Sequence, residues 1–214
     1  MGFTAVIKTL CRLRTLLRLR VFFMLIATLA LGISSCGHAI PRFGVSGRYL
    51  EGKDEILKST GNMDKAIAAL ETVVRQEPLY QDSLTLLGRA YYRKGRYQDA
   101  HQVIQRALVV NKDDEIAWVI FGLTELTLGQ DEKGLESLKG GLTLLSKVLR
   151  PGYKGYQFWD YQGTVSLALR RSVLLASKGL EEKDNLIRAG EFLLSRIEDE
   201  EWKVRYSERV KPPQ

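Results

Sequence analysis

Residues 84–107 read LTLLGRAYYRKGRYQDAHQVIQRA, and the pattern returns 34 residues later, over 118–141, as WVIFGLTELTLGQDEKGLESLKGG. Leu84, Leu87, Gly88, Tyr91, Gly95, Ala100, Ile104 and Ala107 stand against Trp118, Phe121, Gly122, Glu125, Gly129, Gly134, Leu138 and Gly141. Half a cycle survives upstream, where Gly61, Ala66, Leu70 and Val73 precede Gly95, Ala100, Ile104 and Ala107 by the same interval and Pro78 closes the unit. A period of this length marks stacked supersecondary units.

The spacing inside one unit names the unit. Leu84, Leu87, Gly88 and Tyr91 fall at i, i+3, i+4 and i+7, one stripe of a helix, and Ala100, Ile104 and Ala107 form a second stripe. Between them Gly95 can take the left-handed conformation that ends one helix and turns the chain back. Each unit is therefore a helical hairpin, its small residues admitting close approach and its large ones filling the space between neighbours.

These residues resemble the tetratricopeptide repeat, with its W-x2-L-G-x2-Y, A-x3-F and closing Pro pattern. Residues 81–114 match best, 115–148 well, and 47–80 only in the second helix, because Lys53 and Asp54 stand where a large-plus-small pair belongs. The fold expected is all-α: a right-handed α-solenoid of such hairpins over 47–148, with a divergent helical cap. Gly134, Gly140 and Gly141 lie inside a helix of the third unit, where each Gly costs about 1 kcal/mol relative to Ala. That hairpin is predicted to be the loosest.

The two ends carry different information. Residues 1–20 hold Lys8, Arg12, Arg14, Arg18 and Arg20 with no acidic residue, and a short apolar run, Val21 to Ile33, follows. Such a layout describes an export signal over 1–35, too short for a comfortable transmembrane helix. Ile33-Ser34-Ser35-Cys36 resembles the bacterial lipobox, which implies cleavage before Cys36 and acylation of its thiol; an ordinary cleaved signal and an uncleaved anchor are the alternatives. By the same resemblance Gly37 implies the outer membrane, with the domain facing the periplasm. Residues 36–46 read as a lipidated tether.

Setting the signal aside changes the charge. The chain's formal +7 falls to +2 without the five cations of 1–35, which removes the basic face a nucleic-acid role would need. Cys11 lies in the signal, so Cys36 has no disulfide partner in the mature chain.

Beyond the repeats, 149–163 is an aromatic connector with Tyr153, Tyr156, Phe158, Trp159 and Tyr161, read first as a plug on the solenoid's end and otherwise as a partner loop or a lipid-interface contact. Residues 164–214 make a fourth, drifted hairpin and a tail. Val165, Leu169, Val173 and Ala176 share one face; Leu186, Ala189, Leu193 and Ile197 share another, on a helix from about Glu181 to Trp202. Such a hairpin caps the last apolar face. Glu198-Asp199-Glu200-Glu201 reads as a solvated face, and His101 as a surface imidazole.

No nucleophile elbow, P-loop, HExxH or GxGxxG occurs, and His38 and His101 lack partners at ligand spacing. The chain is read as non-enzymatic, without metal or cofactor. What the repeat family offers instead is a groove lined by set positions of each first helix. The resemblance places there Asp82, Thr85, Arg89, Tyr92 and Arg93, a polar and cationic set, and Ile116, Val119, Leu123, Leu126 and Thr127, an apolar one. The carboxylate clamp of some tetratricopeptide domains is absent, since Glu51, Glu55, Leu86, Ile116 and Ile120 occupy its places. An apolar strip on a monomer marks a contact, so the third unit's groove is covered either by the chain's own segment 153–161, the reading favoured, or by a partner.

The reading that results is a membrane-anchored adaptor that binds protein partners in the bacterial cell envelope, with a pilotin-like or assembly-scaffold role, through Arg89, Tyr92, Arg93, Ile116, Val119 and Leu123. The rival is a structural subunit that self-associates into a homo-oligomer. Neither uses nucleic acid.

Overall fold

Two glycines, 34 residues apart, reverse the chain in the same way. Gly95 and Gly129 have φ of +74° and +79°, and each closes a helix with the same pair of bonds. Arg96 N–H donates to the Tyr91 carbonyl and Gly95 N–H to that of Tyr92, and the Gln130 and Gly129 N–H groups do likewise to Glu125 and Leu126. This six-to-one plus five-to-two closure satisfies carbonyls the helix end leaves open.

The computed structural model describes residues 44–149, 160 and 162–210, with only the backbone of 207–210. Among the described residues the chain forms α1 (Gly44–Leu57), α2 (Met63–Gln76), α3 (Ser83–Arg93), α4 (Tyr97–Val110), α5 (Glu115–Thr127), α6 (Asp131–Val148), α7 (Thr164–Ser177) and α8 (Lys183–Val210). Consecutive helices pair as the hairpins α1–α2, α3–α4, α5–α6 and α7–α8, and α2 packs on α3, α4 on α5 and α6 on α7. The result is an α-solenoid of repeat-type hairpins with a divergent helical cap. Helix starts follow from local chemistry. Asn62 accepts from the Lys65 N–H and Asp114 from the Ala117 N–H, as caps should, so the Asp113-Asp114 pair is explained by helix initiation.

The first unit corrects the sequence reading. Its first helix is present, and it begins at Gly44, so residues 44–46 belong to the domain and not to the tether. The small residue of the unit is Gly52, two places before Asp54, where a Cβ would meet the Leu70 side chain at 2.6 Å. The displacement has a simple cause. Residues 58–62 separate α1 from α2, whereas only 94–96 separate α3 from α4, and the two extra residues shift the first helix against the 34-residue register. The longer turn folds back on α1: a Cβ on Gly61 would lie 1.7 Å from the Glu55 carbonyl oxygen, and the Glu55 carboxylate accepts from the Asn62 N–H.

The third hairpin is also unlike the expectation. Gly134 and Gly141, with Gly122 of α5, bring α5 and α6 backbone to backbone, while Gly140 faces open space. A Cβ on Gly122 would meet the Leu138 nitrogen at 2.4 Å, one on Gly134 the Leu126 nitrogen at 2.6 Å, and one on Gly141 the Val119 nitrogen at 2.6 Å. In the second unit the equivalent Gly88 faces only the Ile104 side chain, at 2.3 Å. Glycine's propensity cost is thus offset by dispersion contacts over the whole length of the pair. Leu138, Leu142 and Leu145 are accordingly buried.

In the cap, Val165, Leu169 and Ala176 face inward as expected, while Val173 does not: it is 44% exposed, and Ser172 takes its place inside, donating to the Ala168 and Ala189 carbonyls. No described helix is long and apolar enough to cross a membrane. Residues 1–43, which include Cys36, the export signal and most of the tether, and nearly all of the aromatic connector lie outside the described residues.

Candidate functional site: the groove and the helix that lies in it

The first helices of the hairpins, α1, α3 and α5, present the predicted groove positions, and α8 lies along them. Its N-terminal half is held by apolar packing: Leu186, Leu193 and Ile197 are fully buried, as is Leu123 of α5. Gly190 makes this approach feasible, since a Cβ there would meet Leu123 Cδ2 at 2.7 Å. The apolar part of the groove, Val119, Leu123 and Leu126, is therefore covered within the chain, with Ile116 partly buried beside it. The cover is α8; the segment 153–161, to which the sequence reading assigned it, is outside the described residues.

Past Ile197 the same inward stripe turns ionic. Arg89, 2% exposed, donates through one terminal nitrogen to Glu201 at 3.1 Å, while its Nε lies 3.7 Å from Glu198. Arg93 donates to the Ile56 carbonyl at 2.7 Å and to Glu198 at 3.3 Å. The Tyr92 hydroxyl donates to Glu191 at 2.9 Å. At the far end Arg205 pairs with the buried Asp54 of α1 at 2.8 Å. The acidic run 198–201 is thus not simply solvated: Glu198 and Glu201 bind the arginines, Glu200 is buried and accepts from Lys203, and Asp199 pairs with Arg196.

The electrostatics are balanced rather than strongly favourable. Burial opposes the Arg89 charge, but Glu201 and Glu198 outweigh it and hold the guanidinium's pKa above its ordinary value. Burial lifts the Glu198 carboxyl, and the attraction of Arg89 and Arg93 only partly offsets it. Glu115, at the start of α5, is lifted by burial, with Asp114 and Glu201 adding repulsion. Beside the ion pairs a cleft of about 340 Å³ remains open between α3 and α8, lined by Arg89, Tyr92, Arg93, Tyr97, Leu194 and Glu198.

The polar groove positions nearer α1 are also satisfied internally. Asp82 accepts from Tyr49 and Lys53, and Thr85 donates to Asp114. A second concavity, about 690 Å³, lies between α5 and α6, with Trp118, Phe121, Gly140 and Leu144 as its apolar part and Lys133, Glu136 and Lys139 at its margin. His101 is no free surface imidazole: its ring stacks at 4.8 Å on Phe121, with Glu125 at 3.8 Å. Among the described residues no group of three or more His, Cys, Asp or Glu side chains could hold a metal ion.

Residues 56–116, which run from the end of α1 to the start of α5, match the tetratricopeptide repeat family. The hairpins in this stretch are similar to tetratricopeptide repeats. A stretch of 88 residues, 41% of the chain, is 31% identical to superkiller protein 3 of Schizosaccharomyces pombe and spans only 6% of that much longer protein. The crystal structure of MamA aligns with a TM-score of 0.47 at 21% sequence identity, over 76% of this chain and 82% of that one. Proteins built from tetratricopeptide repeats generally act as protein-interaction scaffolds.

The structure brings Arg89, Tyr92 and Arg93 together on α3, and Ile116, Val119 and Leu123 together on α5. Sequence reasoning missed the partners of the α3 residues, Glu191, Glu198 and Glu201, and the Arg205–Asp54 pair beyond them. A signal was present: Glu201 extends the stripe of Leu186, Gly190, Leu193 and Ile197, so the acids continue a buried face.

Proposed function

We propose that this protein is an adaptor of the bacterial cell envelope, anchored in the outer membrane through a lipid on Cys36, which holds protein partners of an envelope assembly close to the membrane. The observation that carries the reading is Ile33-Ser34-Ser35-Cys36 at the end of a basic and then apolar leader, set directly before a repeat domain. Supporting it, once the leader is set aside, the charge left is small and Cys36 is without a disulfide partner. The role is pilotin-like or that of an assembly scaffold, by likeness of layout.

Two measurements test it. Labelled palmitate fed to a diderm host should enter the wild-type chain and not Cys36→Ser, which should also leave the membrane fraction. A photo-crosslinker at Lys139, on the margin of the α5–α6 concavity, should capture envelope proteins in living cells. An unlabelled wild-type chain would refute the anchor, and an absence of captured proteins would refute the adaptor.

A further inference from the structure

The groove of a repeat scaffold is its ordinary contact surface, yet here α8 fills it, and the two halves of α8 are held by different physics. Residues 183–197 are fastened by Leu186, Leu193 and Ile197 against α5 and α7. Residues 198–206 are held to α1 and α3 by Glu198, Glu201 and Arg205; of their apolar side chains Val204 and Tyr206 are 38% and 60% exposed and Trp202 is half-buried. Burying an ion pair recovers in Coulomb attraction little more than it loses in desolvation. The second half is therefore the part of α8 that can leave while the first half stays.

What it would uncover is a cationic face with defined geometry. Arg89 and Arg93 lie on one side of α3 and read Glu198 and Glu201, three positions apart on one stripe of a helix, while Tyr92 stays bonded to Glu191 in the half that remains. Arg89 is buried with its Nε lacking a hydrogen bond, and the open cleft of about 340 Å³ adjoins it. We infer that this face of α3 is the docking site for an acidic amphipathic helix of a partner protein, for which residues 198–210 of α8 act as a releasable intramolecular substitute. The charge complementarity selects an acidic helix over a basic or purely apolar one. The inference rests on the adaptor reading, since it names the chemistry of the partner at the groove.

The test uses the full chain in mild detergent and a fluorescein-labelled synthetic peptide of residues 196–210, read by fluorescence anisotropy. A ligand for a mostly closed site binds with an affinity reduced by the fraction open. The E198Q/E201Q variant of the chain should therefore bind the peptide at least about tenfold more tightly than wild type. Arg205→Gln, which frees the tail without touching α3, should act in the same direction and keeps the test open should the double variant not fold. A peptide carrying Gln at 198 and 201 should not bind. Hydrogen exchange should quicken at 198–210 on peptide addition and stay unchanged at 183–197.

Equal affinity of wild type and both variants, or equal binding of the Gln peptide, would overturn the inference. So would a stable dimer of the opened variants that the peptide disperses, because the occupant would then be a second copy. Failure here is separable from failure of the adaptor reading: captured partners at Lys139 without peptide binding would sink only the docking site, and peptide binding without captured partners only the adaptor.

Discussion

Gly140→Ala and Gly141→Ala make the same change at neighbouring residues of α6, and they should move stability in opposite directions. A Cβ on Gly140 meets nothing within 4 Å, so the substitution contributes only its helix propensity, a stabilisation of up to about 1 kcal/mol. A Cβ on Gly141 would lie 2.6 Å from the Val119 nitrogen and 2.9 Å from the Trp118 carbonyl carbon, backbone atoms that no rotamer change can move. The propensity gain remains, but α5 and α6 must separate, and overpacking of this kind costs about 1–3 kcal/mol. The net effect at Gly141 is a destabilisation of about 0–2 kcal/mol, and the two variants should differ by about 1–3 kcal/mol. At about 2–4 °C per kcal/mol for a domain of this size, that is a Tm gap of roughly 2–12 °C. Urea unfolding followed by far-UV circular dichroism measures it directly. Equal stabilities, or a Gly141→Ala variant more stable than Gly140→Ala, would refute the close helix approach and with it the explanation of why this hairpin tolerates its glycines.

Other consequences are as definite. Leu123→Asp places a carboxylate at a fully buried site against Gly190 and should cost more than about 3 kcal/mol; a chain that folds normally and merely loses a partner in pull-down would show that α8 does not cover the groove. Asp114→Ala removes the side-chain cap of α5 and the acceptor of the Thr85 hydroxyl, with an expected loss of about 1–2 kcal/mol in denaturant unfolding. Glu55 is held below the usual carboxylate range by the Asn62 N–H and, further, by Lys65 and Lys58. Its stabilisation is therefore present above the unfolded value, about pH 4.3, and lost as pH falls through the lower folded value, so Glu55→Gln should destabilise at pH 7 and have little effect at the acid end. Glu198 runs the other way, since burial lifts it: its contribution is full below about pH 4.3 and declines as pH rises through the lifted value, a slope that Glu198→Gln should remove from a stability-versus-pH series.

The hairpins were legible because their markers are local. Gly95 and Gly129 need a backbone conformation that few residues adopt, and the large and small residues of each stripe recur at a fixed interval, so periodicity alone marks the two hairpins of α3 to α6. The first helix was not, because two extra residues between Leu57 and Met63 broke the register on which the comparison depended and moved the small position to Gly52. Gly134 and Gly141 were misjudged for another reason: propensity is a property of one helix, while the contacts that offset it belong to the pair. The groove residues themselves could be named from the repeat pattern, but their occupant could not. Arg89 meets Glu201 across 112 positions of sequence, and no short-range spacing reports such a contact. Only the continuation of the apolar stripe of α8 into Glu201 hinted that those acids were facing inward.

The occupation of the groove by α8 can be measured most directly with a double-mutant cycle on Arg93 and Glu198, which lie 105 positions apart in sequence and 3.3 Å apart in the fold. Unfolding free energies of wild type, Arg93→Gln, Glu198→Gln and the double variant should give a coupling energy of about 0.5–3 kcal/mol, the range for residues in one ion-pair network. Additivity within about 0.3 kcal/mol would mean that the two side chains do not meet, and that the C-terminal helix lies somewhere other than in the groove.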